Sequence, residues 1–312
     1  MSPTQIIDIQ DVRNAGAAGA SAGQDINILG FGQVVPDGMS WNACPTRETK
    51  IDFGTILKDR KASKFFSKQD SLALIACHQA WSMAKITDSN YPDRTGIYLC
   101  VGILPFEDKP LQKIAQLSQT DGMLDMQKSS TDSFNAMNPL LTFKCLPNMP
   151  LYHVSATLGI TGRYFMTYPG IPEWFSALER AVFDLQTGLV DYAIVGAAAD
   201  QNNYLVQHHI RRIRPDLLDK LVDVSSAMVL TTKKTGAELA RLINIETKYQ
   251  AFNPLENKSL LVQSSGAFFS HAGVVEPSLY LNLKLKERSN DQITYSWKGS
   301  MTNSCSMTAE LL

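Results

Sequence analysis

The sequence is short of cysteine, of net charge and of long apolar runs, and each shortage excludes a class of protein. The formal net charge is −1, from 29 basic and 30 acidic residues, which excludes a protein held on nucleic acid mainly by phosphate contacts. The cysteines are odd in number, scattered and without a CxxC pair, so we expect neither a disulfide scaffold nor a structural zinc site. They are Cys44, Cys77, Cys100, Cys145 and Cys305.

The chain also lacks the patterns of segments that enter or cross a membrane. No apolar run approaches the ~20 residues that span a bilayer. No basic residue precedes Arg13 and no apolar core follows it, so the N-terminal sequence does not have the pattern of a secretory signal. We therefore expect no membrane span, a cytoplasmic location and reduced thiols.

What is present is typical of a globular protein, with 44% hydrophobic and 19% charged residues among 312. Residues 1–24 end in GAAGASAGQ and are predicted to form a flexible tail, because small side chains bury little apolar area. After the tail, buried strands alternate with helices that have Pro172 and Gly188 as start and stop signals. The predicted strands are 27–36, 95–104 and 191–199, and the predicted helices are 69–85, 148–158 and 173–187. This alternation predicts a layered α/β fold.

The rest of the chain repeats this organisation in a shorter form. It predicts a helix over 273–287, with Pro277 in its first turn, and a closing hairpin over 291–312. Further strands are predicted over 225–232, 240–247 and 259–265. We therefore divide the chain into two related halves, 25–224 and 225–312, of which the second is shortened.

Four segments, in three ordered blocks, resemble the β-ketoacyl synthases of the thiolase superfamily. The first block is NILGFGQVVPDG. The second runs without a gap from Asn148 to Ala199 through His153, LGITG and DYAIVGAAA. The third comprises SGAFFSHAGVVE (265–276) and SWKGSMTNS (296–304). The resemblance implies a thiolase-like αβαβα fold of two related halves, with the second truncated.

The catalytic positions implied by this resemblance are not occupied by catalytic residues. Ile171 stands where the family has its nucleophilic cysteine, at a helix N-terminus whose dipole favours a thiolate. Ala267 stands where the family has one histidine, and the sequence contains no His-Gly pair for the other. Ser300 and Met301 replace two glycines of a loop beside the pocket. The resemblance therefore implies no catalytic residue, no cofactor and no metal.

Such a chain resembles a chain-length factor, the non-catalytic partner of an active ketosynthase in type II polyketide or fatty-acid-like biosynthesis. It is most similar to the subunit of this kind in bacterial aryl polyene pathways. The resemblance implies a heterodimer with a ketosynthase, or a dimer of such heterodimers, and a transient contact with an acyl carrier protein.

Three sets of residues follow from this resemblance. The side chains expected to form the floor of the partner's acyl-chain tunnel are Met137, Leu140, Leu141, Phe143, Met149 and Tyr152. The strand expected at the heterodimer interface contains Arg163, Tyr164, Phe165, Met166, Thr167 and Tyr168. The basic side chains expected to attract an acidic carrier protein are Arg211, Arg212 and Arg214.

Alternative interpretations remain open for each set and for the function. The tunnel residues are also compatible with ordinary core, and the basic cluster with a solvated surface turn. A true enzyme, such as a hydrolase or decarboxylase using Ser265 or His271, is one alternative function, and a stand-alone acyl-binding homodimer is another. The GFG segment at 30–32 lacks the third glycine of a dinucleotide-binding loop, and adjacent His208 and His209 are poorly spaced for a metal.

Overall fold

The computed structural model describes residues 24–40, 43–44, 46, 48–57, 60–104, 108–213, 215–248, 263–264, 273–288, 291–299 and 304–312. These residues form eleven β-strands. The strands are β1 (Ile26–Val34), β2 (Thr95–Val101), β3 (Gln119–Thr120), β4 (Met123–Leu124), β5 (Tyr164–Thr167), β6 (Tyr192–Ala199), β7 (Val224–Thr231), β8 (Ala240–Lys248), β9 (Gln263–Ser264), β10 (Gln292–Lys298) and β11 (Ser304–Leu311).

The same residues form ten α-helices and three short helices of other types. The α-helices are α1 (Lys68–Ala84), α2 (Tyr91–Arg94), α3 (Asp108–Leu117), α4 (Met126–Lys128), α5 (Phe134–Ala136), α6 (Pro139–Lys144), α7 (Met149–Leu158), α8 (Ile171–Gln186), α9 (Tyr204–Ile213) and α10 (Glu276–Glu287). The 3₁₀ helices are Arg60–Phe65 and Pro215–Lys220, and a π-helical turn covers Ser129–Ser133.

Nine strands form one mixed sheet whose order reveals two related halves. The order is β5-β2-β6-β7-β1-β8-β11-β10-β9. In the first half the last strand, β7, lies antiparallel between the first strand β1 and the penultimate strand β6. In the second half the last strand, β11, lies in the same way between β8 and β10. Two related halves and a shortened second half are therefore confirmed.

The layers follow from which helices pack on which face. Helices α1 and α7 pack together on one face of the first half and enclose one apolar core. Helix α8 contacts β2 and β6 of the first half and also β8 and β11 of the second, while α10 contacts β7 and β10. A second and larger core therefore lies around α8 and α10, between the two halves of the sheet. In it the rings of Phe175 and Tyr295 stack with centroids 6.1 Å apart.

The shortening of the second half falls on its outer side. Along β10, Ile293 and Tyr295 are buried toward α10, while Thr294 and Ser296 are exposed on the opposite face. This alternation is that of an antiparallel sheet with one solvated face. The described residues thus supply four of the five layers expected of an αβαβα fold.

Two glycines allow helix α1 to approach the sheet closely. A Cβ added at Gly32 would collide with the backbone oxygen of Ala76, and one added at Gly30 would collide with that of Ala80. Helix α1 begins at a capping box in which the Ser67 hydroxyl accepts from the Asp70 backbone amide at 3.1 Å, so Ser67 is the N-cap residue of the helix. Glycine in the GFG segment therefore serves helix packing, and not a dinucleotide.

Helix α10 is fastened to the first half by a buried amide. The Nδ2 atom of Asn282 donates to the backbone oxygens of Gly32 and Ala227, at 3.2 and 3.0 Å, and to the Ser226 hydroxyl at 2.6 Å. The Ser278 hydroxyl donates to the same Ser226 oxygen at 2.9 Å. These bonds join α10 to β1 and β7, so they fix the central helical layer against the sheet.

Some predicted segments differ from the observed ones. Strand β7 pairs with β6 and β1, so it lies in the sheet beside strands of the first half, while the boundary between the halves at 224/225 stays a prediction. The basic cluster that contains Arg211 and Arg212 lies at the end of helix α9 and not in a surface turn. Of the strand predicted over 259–265, only β9 is described, and the tail over 1–23 lies outside the described residues. In the part of the chain that is described, no helix is long and apolar enough to cross a membrane.

We expect Asn282→Ala to lower the free energy of unfolding by about 2–4 kcal/mol, because it leaves buried acceptors on β1 and β7 without a donor. Chemical denaturation measures this change. Gln292→Ala, on the solvated face of β10, is the matched control and should change stability by less than about 0.5 kcal/mol. Equal effects of the two substitutions would contradict the role given to Asn282.

Candidate functional site

The main candidate site lies where the parallel strands end. Strands β2, β5 and β6 are parallel, so their carboxyl ends meet at one side of the sheet, which we call the C-terminal rim. Strand β5 ends at Thr167, and helix α8 begins four residues later at Ile171. The N-terminus of α8, with its free amide groups and positive dipole end, therefore lies at this rim.

The residue at the first position of α8 is apolar. Ile171 is half-buried and packs against the core between the two halves. Gly170 before it has no side chain with which to cap the helix, and Pro172 follows it. The N-terminus of α8 thus has the geometry to stabilise an anion but holds no ionisable side chain at its first position.

A cysteine nearby is not an alternative nucleophile. The Cys100 thiol, at the end of β2, lies 3.5 Å from the backbone oxygen of Gly170 and donates to it. Burial raises the pKa of this thiol to about 11, so it is protonated at neutral pH. Since the thiolate is the reactive form, this raised pKa makes Cys100 a weak nucleophile at neutral pH.

A cluster of charged residues occupies the same rim. The Lys68 ammonium group lies 3.1 Å from Asp200 Oδ1 and 3.0 Å from Asp223 Oδ2. Asp200 directly follows β6, Asp223 directly precedes β7, and Lys68 is the first residue of α1. The other oxygen of Asp223 accepts from the Asn202 amide at 2.9 Å. The cluster therefore fastens the start of α1 to the sheet.

Burial sets the protonation of this cluster. It raises the pKa of Asp200 to about 6, although Lys68 opposes the shift. Burial lowers the pKa of Lys68, but the two carboxylates outweigh it and leave that pKa above its ordinary value.

A cavity of about 360 Å³ opens beside the cluster, and Leu141 and Lys144 also line it. Among the described residues, no group of His, Cys, Asp or Glu is arranged to hold a metal ion.

A second cavity, of about 620 Å³, lies on the outer side of α7. We call it the aromatic groove. Its rim is formed by the partly exposed side chains of Phe65, Phe143 and Tyr152, and its base by buried Phe66 and His153. None of the described residues that line it carries a permanent charge. They are Leu57, Ala62, Phe65, Phe66, Phe143, Leu146, Asn148, Met149, Tyr152, His153, Ala156 and Thr157.

The structure brings together only part of the set predicted as a tunnel floor. Phe143, Met149 and Tyr152 line the aromatic groove. Leu141 is buried and lines the cavity beside Lys68 instead. Met137 and Leu140 are half-buried and line neither cavity. The six residues therefore do not form one continuous wall.

The strand predicted as an interface is at the edge of the sheet. Among the described strands, β5 pairs with β2 alone and ends the strand order. Tyr164 is 74% exposed and Tyr168 is 42% exposed, whereas Phe165 packs against the core. Met166 and Thr167 are half-buried, and the Thr167 hydroxyl donates to the backbone oxygen of Glu173 in α8. An exposed edge strand with aromatic side chains is a surface on which another chain can pair.

The edge strand is anchored by a buried carboxylate. Asp184, on α8, is 1% exposed and lies 3.0 Å from Arg163 Nε and 3.1 Å from Arg180 Nε. The Tyr98 hydroxyl, on β2, donates to it at 2.8 Å. Arg163, predicted as an interface residue, therefore points toward this carboxylate and holds the start of β5 on α8.

The remaining predicted residues are divided between the surface and the undescribed segments. Arg211 and Arg212 are exposed on α9, and Arg214 lies outside the described residues. Ala267, Ser265 and His271 also lie outside them, as do Ser300 and Met301. Sequence reasoning missed the Lys68 cluster because its members are far apart in the chain. The available signal was that Asp200 and Asp223 each adjoin an apolar strand.

Comparisons with known proteins identify the fold. No protein-family model and no curated protein matches the chain. A structure of a type II polyketide synthase acyl-carrier protein with its ketosynthase bound to the hexaketide (AntDE:AntF) is 12% identical, with a TM-score of 0.66, and the match covers 93% of this chain and 100% of that chain.

Two further solved structures match over similar lengths. A β-ketoacyl synthase from Burkholderia phymatum STM815 is 10% identical with a TM-score of 0.62, covering 93% of this chain and 100% of its own. The ishigamide ketosynthase/chain length factor is 11% identical with a TM-score of 0.60, covering 92% and 99%. The chain therefore has the thiolase-like fold of ketosynthases, as its sequence resemblance implies.

We expect Cys100 to resist alkylation by iodoacetamide at pH 8, because a buried thiol with a pKa near 11 has almost no thiolate. Half-buried Cys145 serves as the internal control and should react at least ten times faster. Mass spectrometry of peptides over a time course measures both rates. Rapid modification of Cys100 in the folded protein would show that the N-terminus of α8 does activate a thiol.

We expect Asp200→Asn to remove part of the pH dependence of stability. The pKa of Asp200 is about 6 in the folded chain and about 3.8 when unfolded, so the folded state binds more protons between these values. Its contribution to stability therefore falls as pH rises from about 4 to 6. Relative to the wild type, the variant should gain stability over this interval in urea denaturation. Asp121→Asn, in an exposed turn, is the control, and an equal pH profile for all three proteins would contradict the assignment.

Proposed function

We propose that this chain is a non-catalytic, chain-length-factor-like subunit that pairs with an active ketosynthase during polyketide or polyene chain elongation. In this role it does not form an acyl-enzyme intermediate. It completes the partner's structure and provides part of the space into which the partner's acyl chain grows. The finer assignments, an aryl polyene pathway and a cytoplasmic location, belong to the same proposal.

The observation that carries the proposal is the apolar first residue of α8. A ketosynthase of this fold needs a thiolate at the N-terminus of the corresponding helix, where the dipole lowers the thiol pKa. Here Ile171 occupies that position, and the nearest thiol, Cys100, has a raised pKa. Ile171 has no nucleophilic atom, and the raised pKa of Cys100 leaves little thiolate to be acylated at neutral pH. The helix therefore keeps its structural role and loses its chemical one.

Two surfaces support a partner-dependent role. The free edge of β5 presents Tyr164 and Tyr168 to solvent beside an unpaired row of backbone groups. The segment from β3 to α5 presents further large apolar side chains that are more than half exposed, which is unusual for a monomer. These side chains are Met123, Leu124, Met126 and Phe134. A ketosynthase partner that covers them would bury this apolar area.

The aromatic groove supports a role in accommodating an acyl chain. It has the volume and apolar lining of a small-molecule site, and three of the predicted chain-length residues line it. Exposed Arg211 and Arg212 on α9 favour long-range attraction of an acidic acyl carrier protein. The Lys68 cluster, whose charges are mutually paired, does not require a reaction to explain it.

We expect the chain to form a 1:1 complex with the ketosynthase encoded nearest to it, when the two are co-expressed. Tyr164→Asp should weaken this complex about tenfold or more, because it places a charge in an apolar strand interface. Tyr204→Asp, which alters an exposed tyrosine on α9, is the matched control and should leave the affinity unchanged. Analytical ultracentrifugation of the purified proteins measures both.

Two results would overturn the proposed function. One is a stable homodimer of the chain whose formation excludes the ketosynthase. The other is a covalent acyl adduct on the purified chain after incubation with malonyl or acyl thioesters, detected by intact-protein mass spectrometry. The second result would show that the chain itself is acylated, as a catalytic ketosynthase is.

A further inference from the structure

The base of the aromatic groove contains a buried polar atom without a hydrogen-bond partner among the described residues. This atom is the Nε2 of His153, whose side chain lines the groove and is only 7% exposed. A buried acceptor or donor that stays unpaired destabilises the folded state. Native structures keep such groups mainly where a ligand, water or partner satisfies them.

The imidazole of His153 is fixed in position. Its ring centroid lies 4.0 Å from that of Phe66 and 5.3 Å from that of Tyr152, so aromatic rings hold it on two sides. Burial lowers the pKa of His153 to about 4, so the ring is neutral at physiological pH. A neutral imidazole has one nitrogen that accepts a hydrogen bond. The groove thus offers a fixed polar atom within an apolar surface.

The surroundings limit which ligands suit this atom. Among the described residues that line the groove, none carries a permanent charge, so next to these residues a carboxylate or phosphate would lose its hydration without a cationic partner. A purely apolar chain would leave Nε2 unpaired. A hydroxyl group at the end of an apolar or aromatic moiety satisfies both requirements, because it can donate to Nε2 or accept from it, whichever tautomer the ring adopts, and brings no charge.

We infer that the aromatic groove binds the apolar end of a chain that carries one hydroxyl group, and that this hydroxyl forms a hydrogen bond with Nε2 of His153. The identification of that chain as an acyl chain rests on the proposed function. The preference for a hydroxyl rests only on the groove. His153 is then a specificity-determining residue, and the subunit selects what its partner elongates as well as limiting how far it grows.

The test uses two probes that differ by one hydroxyl, 4-phenylphenol and biphenyl. Equilibrium dialysis against the full-length chain at pH 7.5 gives their dissociation constants. We expect 4-phenylphenol to bind about 3–10 times more tightly than biphenyl, as one neutral hydrogen bond allows. In His153→Phe this preference should disappear while biphenyl affinity is kept. His208→Phe, on exposed α9, is the control and should keep the preference.

A second measurement avoids dependence on the folding of a variant. In wild-type protein labelled with ¹⁵N-histidine, 4-phenylphenol should shift the Nε2 resonance of His153, and biphenyl should leave it nearly unchanged. Equal affinity for both probes, a hydroxyl preference that survives in His153→Phe, or no binding of either probe would overturn the inference. These results are independent of complex formation, so the groove inference and the proposed function can fail separately.

Discussion

The structure depends on the burial of two helices, α8 and α10, from both sides. Each half of the sheet packs on this central layer, and Asn282 ties α10 to β1 and β7 by three hydrogen bonds. Because α8 is enclosed, its N-terminus is held at the C-terminal rim of the sheet. The position of Ile171 is therefore a consequence of core packing.

At the margins of the core, buried charged residues also hold elements of the fold in place. Asp184 holds Arg163 and Tyr98 and so fixes the edge strand on α8. Lys68 bridges Asp200 and Asp223 and so fixes the start of α1 at the rim. Each carboxylate is near a cation, as buried charges must be if they are not to neutralise. The edge strand β5 and the cavity at the rim are therefore held in place by these ion pairs.

Much of the fold could be predicted from the sequence. Strands β1, β2, β6 and β11 are apolar or alternating runs, and α7 ends at Gly159, which has a positive φ, as its glycine predicts. The helix at Tyr204–Ile213 was missed because its basic end has the composition of a surface turn, although Val206, Ile210 and Ile213 recur at helical spacing. A local sequence pattern indicates which residues are buried, but it does not indicate which distant segments line the same cavity.

The site was harder to predict for that reason. The position of Ile171 at a helix start followed from Pro172 and from periodicity. The grouping of Phe143, Met149 and Tyr152 in one groove, with Leu141 in another, depends on how α6 turns against α7. His153 was noted only as a landmark of the resemblance. Its unpaired nitrogen becomes visible only when Phe66 and Tyr152 are placed around it.

The pairing of β1 with β8 has a consequence for how the protein folds. Only three residue pairs, such as Asn27 with Arg241, join the two halves of the sheet along this seam, and they are separated by more than two hundred positions in the chain. Contacts so distant carry a large loop-closure cost, so they form late and slow the folding reaction. Until Arg241 and its neighbours are synthesised and pair with β1, the side of α8 that packs on β8 and β11 stays exposed. A nascent chain released before that point exposes the apolar face on which its finished core depends, and needs a chaperone during that interval.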